Sequence, residues 1–183
     1  MTRTLFRVAA TGLVLSGLVV LGLRLNVPTD TADHADNQHW PDFYVEQPHW
    51  REFDREGRLS RELHAARVEQ WPHEHRARLI EPRLRVTDAR QQHWQASAQL
   101  GWVPADRRQL VLEGGVRLLR EPENTGPVVT TEQLRIGAQD NVIQTERPVV
   151  MVSGKWHFTA AGLQADLGRQ QLQLQGNVRG IHD

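Results

Sequence analysis

The residues with the clearest chemical potential are His73–Glu74–His75, which follow Trp71–Pro72 and precede Glu81. A His-x-His pair with a carboxylate downstream is how the metal site of a double-sheet cupin begins. No glycine precedes this pair at the spacing of that motif, and no second histidine falls in the matching place downstream. A catalytic metal ordinarily needs three protein ligands, so no metal is expected. Glu52, Asp54 and Glu56 alternate around a turn and offer paired carboxylates for acid–base work. Exposed carboxylates around a hairpin, with no cleft to shift a pKa, are ordinary surface. No Gly-x-Ser-x-Gly elbow, phosphate-binding glycine loop or dinucleotide fingerprint is present. The absence of cysteine excludes thiol catalysis, cysteine-ligated zinc, disulfides and a lipobox anchor. The formal net charge of zero, with one tyrosine and six tryptophans in no basic–aromatic stripe, argues against nucleic acid. The sequence thus predicts a binding protein, with no enzymatic activity, cofactor or metal.

The elements that would position a binding surface are announced by a repeat. Gln109–Leu110–Val111–Leu112–Glu113–Gly114–Gly115–Val116–Arg117 returns as Gln171–Leu172–Gln173–Leu174–Gln175–Gly176–Asn177–Val178–Arg179. Trp94 and Ala98 precede the first copy at the same distance as Trp156 and Ala160 precede the second. Val68 with Glu81–Pro82 matches Leu134 with Arg147–Pro148, so the chain reads as two related runs. Each copy alternates apolar and polar residues, which sets Leu110 and Leu112, or Leu172 and Leu174, on one face of a strand. The Gly-Gly and Gly-Asn pairs predict two-residue hairpins. Pro82 and Pro148 lack a ladder donor and belong at a strand start or an edge. Asp54–Arg55–Glu56–Gly57 reads as a turn between strands, and Glu121 to Pro127 as a mobile loop. No helix is expected after residue 25.

One face then gathers Leu59, Leu79, Leu84, Leu110, Leu112, Val116, Leu134, Ile136, Val149, Met151, Leu172, Leu174 and Val178. An ordinary packed core and a ligand-holding groove predict the same residues. The chain is rich in arginine and has a single lysine, Lys155, and the arginines fall on presumed outer strand faces.

Residues Val8 to Leu23 are uncharged between Arg7 and Arg24. As a helix they span roughly 24 Å. Leu5, Phe6 and Leu25, with snorkelling arginines, extend this to about the thickness of a bilayer core. Arg3 and Arg7 on one side, with Asp30, Asp33 and Asp36 on the other, keep the N-terminus cytoplasmic. A cleaved signal peptide is the competing reading, but a good small-x-small cleavage end is missing. Ala9, Gly12 and Ser16 share one face, where small residues admit a neighbouring transmembrane helix. The organisation expected is an anchor in residues 1–25, a polar linker in 26–40 and a β domain in 41–183.

Several segments, taken in order, resemble the lipopolysaccharide export protein LptC family. These are Pro41–Asp42–Phe43–Tyr44, Phe53–Asp54–Arg55–Glu56–Gly57–Arg58–Leu59, Leu79–Ile80–Glu81–Pro82–Arg83–Leu84, Trp94–Gln95–Ala96–Ser97–Ala98, Val129–Thr130–Thr131–Glu132 and Gly176–Asn177–Val178–Arg179. The resemblance covers essentially the whole chain. It implies an all-β, twisted, open jellyroll of antiparallel hairpins in the periplasm, behind a single inner-membrane helix packed among permease helices. It also implies, as partners, lipopolysaccharide, an inner-membrane ABC transporter of two permease subunits and a cytoplasmic ATPase, and a soluble periplasmic jellyroll protein. Lipid contacts are implied on the inner face of the early strands, here Pro48 and Leu79. The inner-face residues Phe53, Leu59, Leu84, Leu110 and Leu112 join them as candidates. The handover surface is implied at the C-terminal edge, here Leu172, Leu174, Val178 and Arg179, with Gly154 as a turn that shapes it. The other function class consistent with the same residues is a membrane-tethered β scaffold that touches no lipid.

Overall fold

The computed structural model describes residues 41–71, 74–88, 90–122, 126–138, 142–166, 169 and 171–183. The expected anchor at Val8–Leu23, its Ala9, Gly12 and Ser16 face, the linker at Asn26–His39, His73 and residues 123–125 of the expected loop lie outside the described residues. Among the described residues no helix is long and apolar enough to cross a membrane.

All regular elements there are strands. In chain order they are β1 (Phe43–Glu46), β2 (His49–Phe53), β3 (Leu59–His64), β4 (Arg67–Gln70), β5 (Arg76–Ile80), β6 (Arg83–Thr87), β7 (His93–Ser97) and β8 (Leu100–Pro104). They continue as β9 (Gln109–Arg120), β10 (Val128–Gly137), β11 (Val142–Thr145), β12 (Val149–Ser153), β13 (Trp156–Ala160), β14 (Gly162–Asp166), β15 (Gln171–Gln175) and β16 (Arg179–His182). The hydrogen-bonded order β1-β4-β5-β8-β9-β10-β11-β14-β15 makes one layer. The second layer runs β2-β3-β6-β7-β9-β10-β12-β13-β16. Only the long strands β9 and β10 belong to both layers.

The chain therefore changes layer at each corner, and the sequence explains how. Gln47 (φ 48°) precedes Pro48, Glu81 (φ 50°) precedes Pro82, and Gly114–Gly115 (φ 79° and 57°) and Gly176–Asn177 (φ 66° and 47°) are left-handed. A left-handed residue bends an extended chain sharply without reversing it. Pro82 and Pro148 stand one residue ahead of β6 and β12, the strand starts expected for residues without an N–H. The corners stay hydrogen-bonded to one another. Ala66 N–H donates to Ile80 O at 2.8 Å, Glu81 N–H to Gln99 O at 2.8 Å, Gln99 N–H to Gly114 O at 3.0 Å and Ala161 N–H to Gly176 O at 2.9 Å.

This corrects the expectation that the two Gly pairs close hairpins. Leu112 pairs with Leu134 on one side of the crossing and Val116 with Thr131 on the other, so β10 follows β9 straight across the Gly pair. The register slips once, between Thr131 and Gln133, where Gly114 and Gly115 of β9 together face the single residue Glu132 of β10, so β9 carries the bulge. Gly176–Asn177 likewise passes the chain from β15, paired with β14, to β16, paired with β13.

The sequence repeat is a repeat of topology. β4 pairs with β5, β5 with β8 and β8 with the start of β9; the later half of β10 pairs with β11, β11 with β14 and β14 with β15. In the other layer, β3-β6-β7-β9 is matched by β10-β12-β13-β16. β15 and β16 thus stand where the two halves of β9 stand, and β1 and β2 hold that place ahead of the first unit. Inward side chains of both layers form the main core, with Leu112, Leu134, Ile143 and Leu163 at most 1 % exposed. A smaller cluster of Ala65, Val68 and Leu79 joins it through Leu63 and Leu110, which pack on both.

At the first Gly crossing, a Cβ on Gly114 would stand 3.0 Å from Gln99 Oε1, whereas one on Gly115 meets nothing closer than 4.0 Å. Both replacements force a left-handed alanine, at about 1–2 kcal/mol each. Gly114→Ala is expected to lose more stability than Gly115→Ala in urea unfolding, because Gln99 must also move.

Candidate functional site on the inner face and its open ends

The alternation of apolar residues sets one face of every strand inward, and the structure divides the expected inner-face residues by depth. Leu79 and Leu112 are almost wholly enclosed, and Leu84 is buried beside Val86 and Ala96. Leu110, Leu172 and Leu174 are half-buried against the same core. Leu59 is half-buried near the Asp54–Gly57 turn, and Phe53 is exposed there. Pro48 is buried at the corner between β1 and β2, and its carbonyl accepts from Ala65 N–H at 3.3 Å. Val178, expected inside, is half exposed, because no described strand covers the last corner. The middle of the inner face is a close-packed core, and its two ends are open.

At the N-terminal end, among the described residues, β1 pairs only with β4, and β2 only with β3. At the C-terminal end β15 pairs only with β14, and β16 only with β13. These four strands present unpaired backbone edges among the described residues, and exposed edges pair readily with another chain. Large apolar side chains are exposed beside them: Phe43, Tyr44 and Phe53 at one end, Trp156, Val178 and Ile181 at the other. Trp156 stacks on Phe158 and meets the ring of His182 edge-on, lining the C-terminal opening. Gly154 (φ 59°) forms with Lys155 the turn between β12 and β13 and so directs Trp156. Arg179 begins β16 and pairs with Thr159.

Not every arginine lies outside. Arg61 stands opposite Glu52 and Val86, on the face that carries Leu63 into the core. Its guanidinium crosses to the other layer and donates to the carbonyl of Ala138, just after β10. Asp88, also buried, accepts from Trp94 Nε1 at 3.3 Å and from the Arg90 and Gln92 amides. These polar residues lie on the rim opposite the corners.

The outer faces carry the remaining charge in ladders. Arg78 bonds Glu69 at 2.5 Å, Arg76 stacks over Trp102 at 3.8 Å, and Trp102 Nε1 donates to Glu113 at 3.0 Å. Asp54 caps its turn by accepting from the Arg58 amide and guanidinium, both at 2.8 Å, which holds its carboxyl below the usual range. Glu74 pairs with Arg76. Asp54, Glu56 and Glu74 therefore serve a turn and surface pairs. A cluster the sequence reading missed is His49, Glu62 and His64, on neighbouring strands β2 and β3. Glu62 Oε1 lies 2.7 Å from His49 Nε2 and 3.2 Å from Arg51 Nε. The hydrogen bond from His49, reinforced by Arg51, holds the Glu62 carboxyl below its ordinary value of 4.5. The signal was available: His49 and His64 flank the Asp54–Gly57 turn almost symmetrically, which makes them cross-strand partners.

A β structure of this kind, one chain folded into two layers joined by corners and open at both ends among the described residues, is a jellyroll. Among solved structures it is similar to LptH of Pseudomonas aeruginosa, described as the LptA-homologous periplasmic component of a lipopolysaccharide transport device. That likeness has a TM-score of 0.50 at 8 % identity, over 67 % of this chain and 94 % of LptH, and it establishes the shared fold. Comparison with curated protein sequences finds no match. The family described as lipopolysaccharide-assembly, LptC-related, matches residues 9–183, and the chain belongs to it. Membership gives the chain a part in lipopolysaccharide transport, in a family of transport and scaffold proteins.

Two outcomes follow from this geometry. Leu112→Ala is expected to cost about 2–5 kcal/mol and the half-buried Leu172→Ala clearly less, compared by denaturant titration. For Glu62 the folded-state pKa lies below the unfolded one. Its stabilising contribution is therefore present above about pH 4.5 and is lost as pH falls through the lowered value. Glu62→Gln should lose less stability than the wild type on going from about pH 6 to about pH 3.5.

Proposed function

We propose that the chain is a single-pass inner-membrane subunit, its β domain periplasmic, that moves lipopolysaccharide. It receives the lipid from an inner-membrane ABC transporter and passes it along its inner face to a soluble periplasmic jellyroll protein. The observation that carries this reading is the pair of unpaired ends on one repeating cross-section. β10 lies along both halves of β9, pairing Leu134 with Leu112 and Thr131 with Val116. No described strand does the same for β15 and β16. A strand from a partner laid along Leu172, Leu174, Val178 and Arg179 would repeat the β9–β10 join and continue the apolar face into the next molecule. The β1–β2 end suits the membrane side, where the transporter stands.

The energetics support a shielded path. Each acyl methylene kept from water is worth about 0.8 kcal/mol, so a multi-chain lipid needs continuous apolar cover. The chain has no nucleotide motif, and the work comes from the transporter's ATPase. With Leu79, Leu112 and Leu163 at most 2 % exposed, acyl chains enter only as the layers part along the rim that Arg61 bridges, hinging on the corners.

The same close packing favours a second reading, a membrane-tethered scaffold whose inner face is only a core. A photo-crosslinking residue at Trp50 and at Leu172, with outer-face Arg85 as control, separates the two in cells making labelled lipopolysaccharide. Lipid transfer predicts adducts at Trp50 and Leu172 that require ATP hydrolysis, with none at Arg85. Assembled, folded protein with no adduct at either inner position would leave the scaffold. The same residue at Ile181 is expected to capture the periplasmic jellyroll partner.

A further inference from the structure

From the outer face of the N-terminal edge we infer that His49, Glu62 and His64 form a binding site for a divalent transition-metal ion of the zinc class. Each offers one ligand atom, and the three atoms lie within 4.8 Å of one another. Glu62 Oε1 is 2.7 Å from His49 Nε2 and 3.6 Å from His64 Nε2. A tetrahedral ion with bonds of about 2.0–2.1 Å holds its donors roughly 3.3 Å apart, between those two separations. The backbone supplies the alignment. His49 and His64 are direct partners in the β2–β3 ladder, and their rings, stacked with centroids 3.7 Å apart, have only to tilt out of the stack for both nitrogen lone pairs to converge on one ion. Glu62, two residues before His64 on β3, shares their face. Two imidazoles and one carboxylate select zinc-like ions over magnesium or calcium, and a fourth position is left for water.

The cationic neighbours need an account. Arg51 Nε lies 3.1 Å from His49 Nε2 and 3.2 Å from Glu62 Oε1, so a guanidinium stands beside the ion's place, and binding also requires His49 to give up the Nε2 proton it shares with Glu62. Its side chain is more than half exposed and can swing into water at little cost. Arg85 donates to the other oxygen, Glu62 Oε2, at 3.2 Å and is also tied to Glu121. It fixes the carboxylate with Oε1 turned toward the histidines, as an outer-shell partner does in a metal site. Arg83, the ladder partner of His64, adds positive charge nearby but has no contact with the three donor atoms among those described. The bound ion would tie β2 to β3, the only described strand β2 pairs with, and so staple the N-terminal edge.

The test is zinc titration of the metal-free full chain in detergent, followed by calorimetry and by the ring resonances of isotope-labelled histidine. One equivalent of Zn2+ is expected to bind at neutral pH and to shift the His49 and His64 resonances. His49→Ala and His64→Ala should each weaken binding more than about tenfold. Zinc should raise the melting temperature of the wild type and not that of His64→Ala. Arg51→Met, which removes the competing cation, should bind as tightly or more tightly, a result that a disturbed β2–β3 pair would not give. Absence of saturable uptake, His49 and His64 resonances that stay in place, binding that survives both alanine substitutions, or weaker binding by Arg51→Met would each overturn the site.

Discussion

The constraint on which the structure depends is the need to keep backbone hydrogen bonds made while one chain serves two layers. A buried amide or carbonyl without a partner costs about 1–3 kcal/mol, so a fold that changes layer repeatedly would be unstable if its corners were open. Here successive corners bond to one another, from Ala66 to Ile80, Glu81 to Gln99 and Gln99 to Gly114 in the first unit and from Ala161 to Gly176 in the second. The layer change is concentrated in a few left-handed residues and prolines, and the intervening strands stay regular. Because the corners form a bonded line, the layers are fixed on that side. On the other rim they are held by separate contacts such as that of Arg61 with Ala138.

That asymmetry organises the rest. Side chains close to the middle strands are surrounded on all sides and behave as core. Toward the ends the same alternating pattern meets fewer neighbours, and leucine gives way to exposed phenylalanine, tyrosine, tryptophan and isoleucine. Depth within the molecule, more than residue type, thus separates a stabilising position from one available to a ligand. Outside, charge ladders shield the strand faces from unwanted association while the edges remain open.

Much of this was legible in the sequence. Alternation gave the strands, proline marked strand starts, and the recurrence of Gln-Leu-x-Leu revealed the duplication. The Gly pairs misled because positive φ serves both a tight hairpin and a strand crossing. The clue that separates them is phase: Leu110, Leu112, Val116 and Leu118 keep one parity through Gly114–Gly115, as an uninterrupted strand would. Arg61 was hidden because an arginine between Ser60 and Glu62 reads as surface, and only the opposing layer shows where its long side chain ends. The His49–Glu62–His64 group forms no contiguous motif; its sequence signal lies only in the placing of His49 and His64 about one turn, and the β2–β3 register brings its members together. Which inner residues meet a ligand cannot be read from alternation, since core and groove share one pattern.

The duplication has a consequence for assembly. Among the described residues the start and the finish of the chain present the same cross-section, one lacking a predecessor and the other a successor. Such ends are complementary in a head-to-tail sense, and a head-to-tail contact closes no ring unless its rotation happens to do so. It carries no internal stop. The length of any bridge built this way is therefore set by its terminators, the proteins that cap the first and last cross-sections, and not by the repeating unit itself.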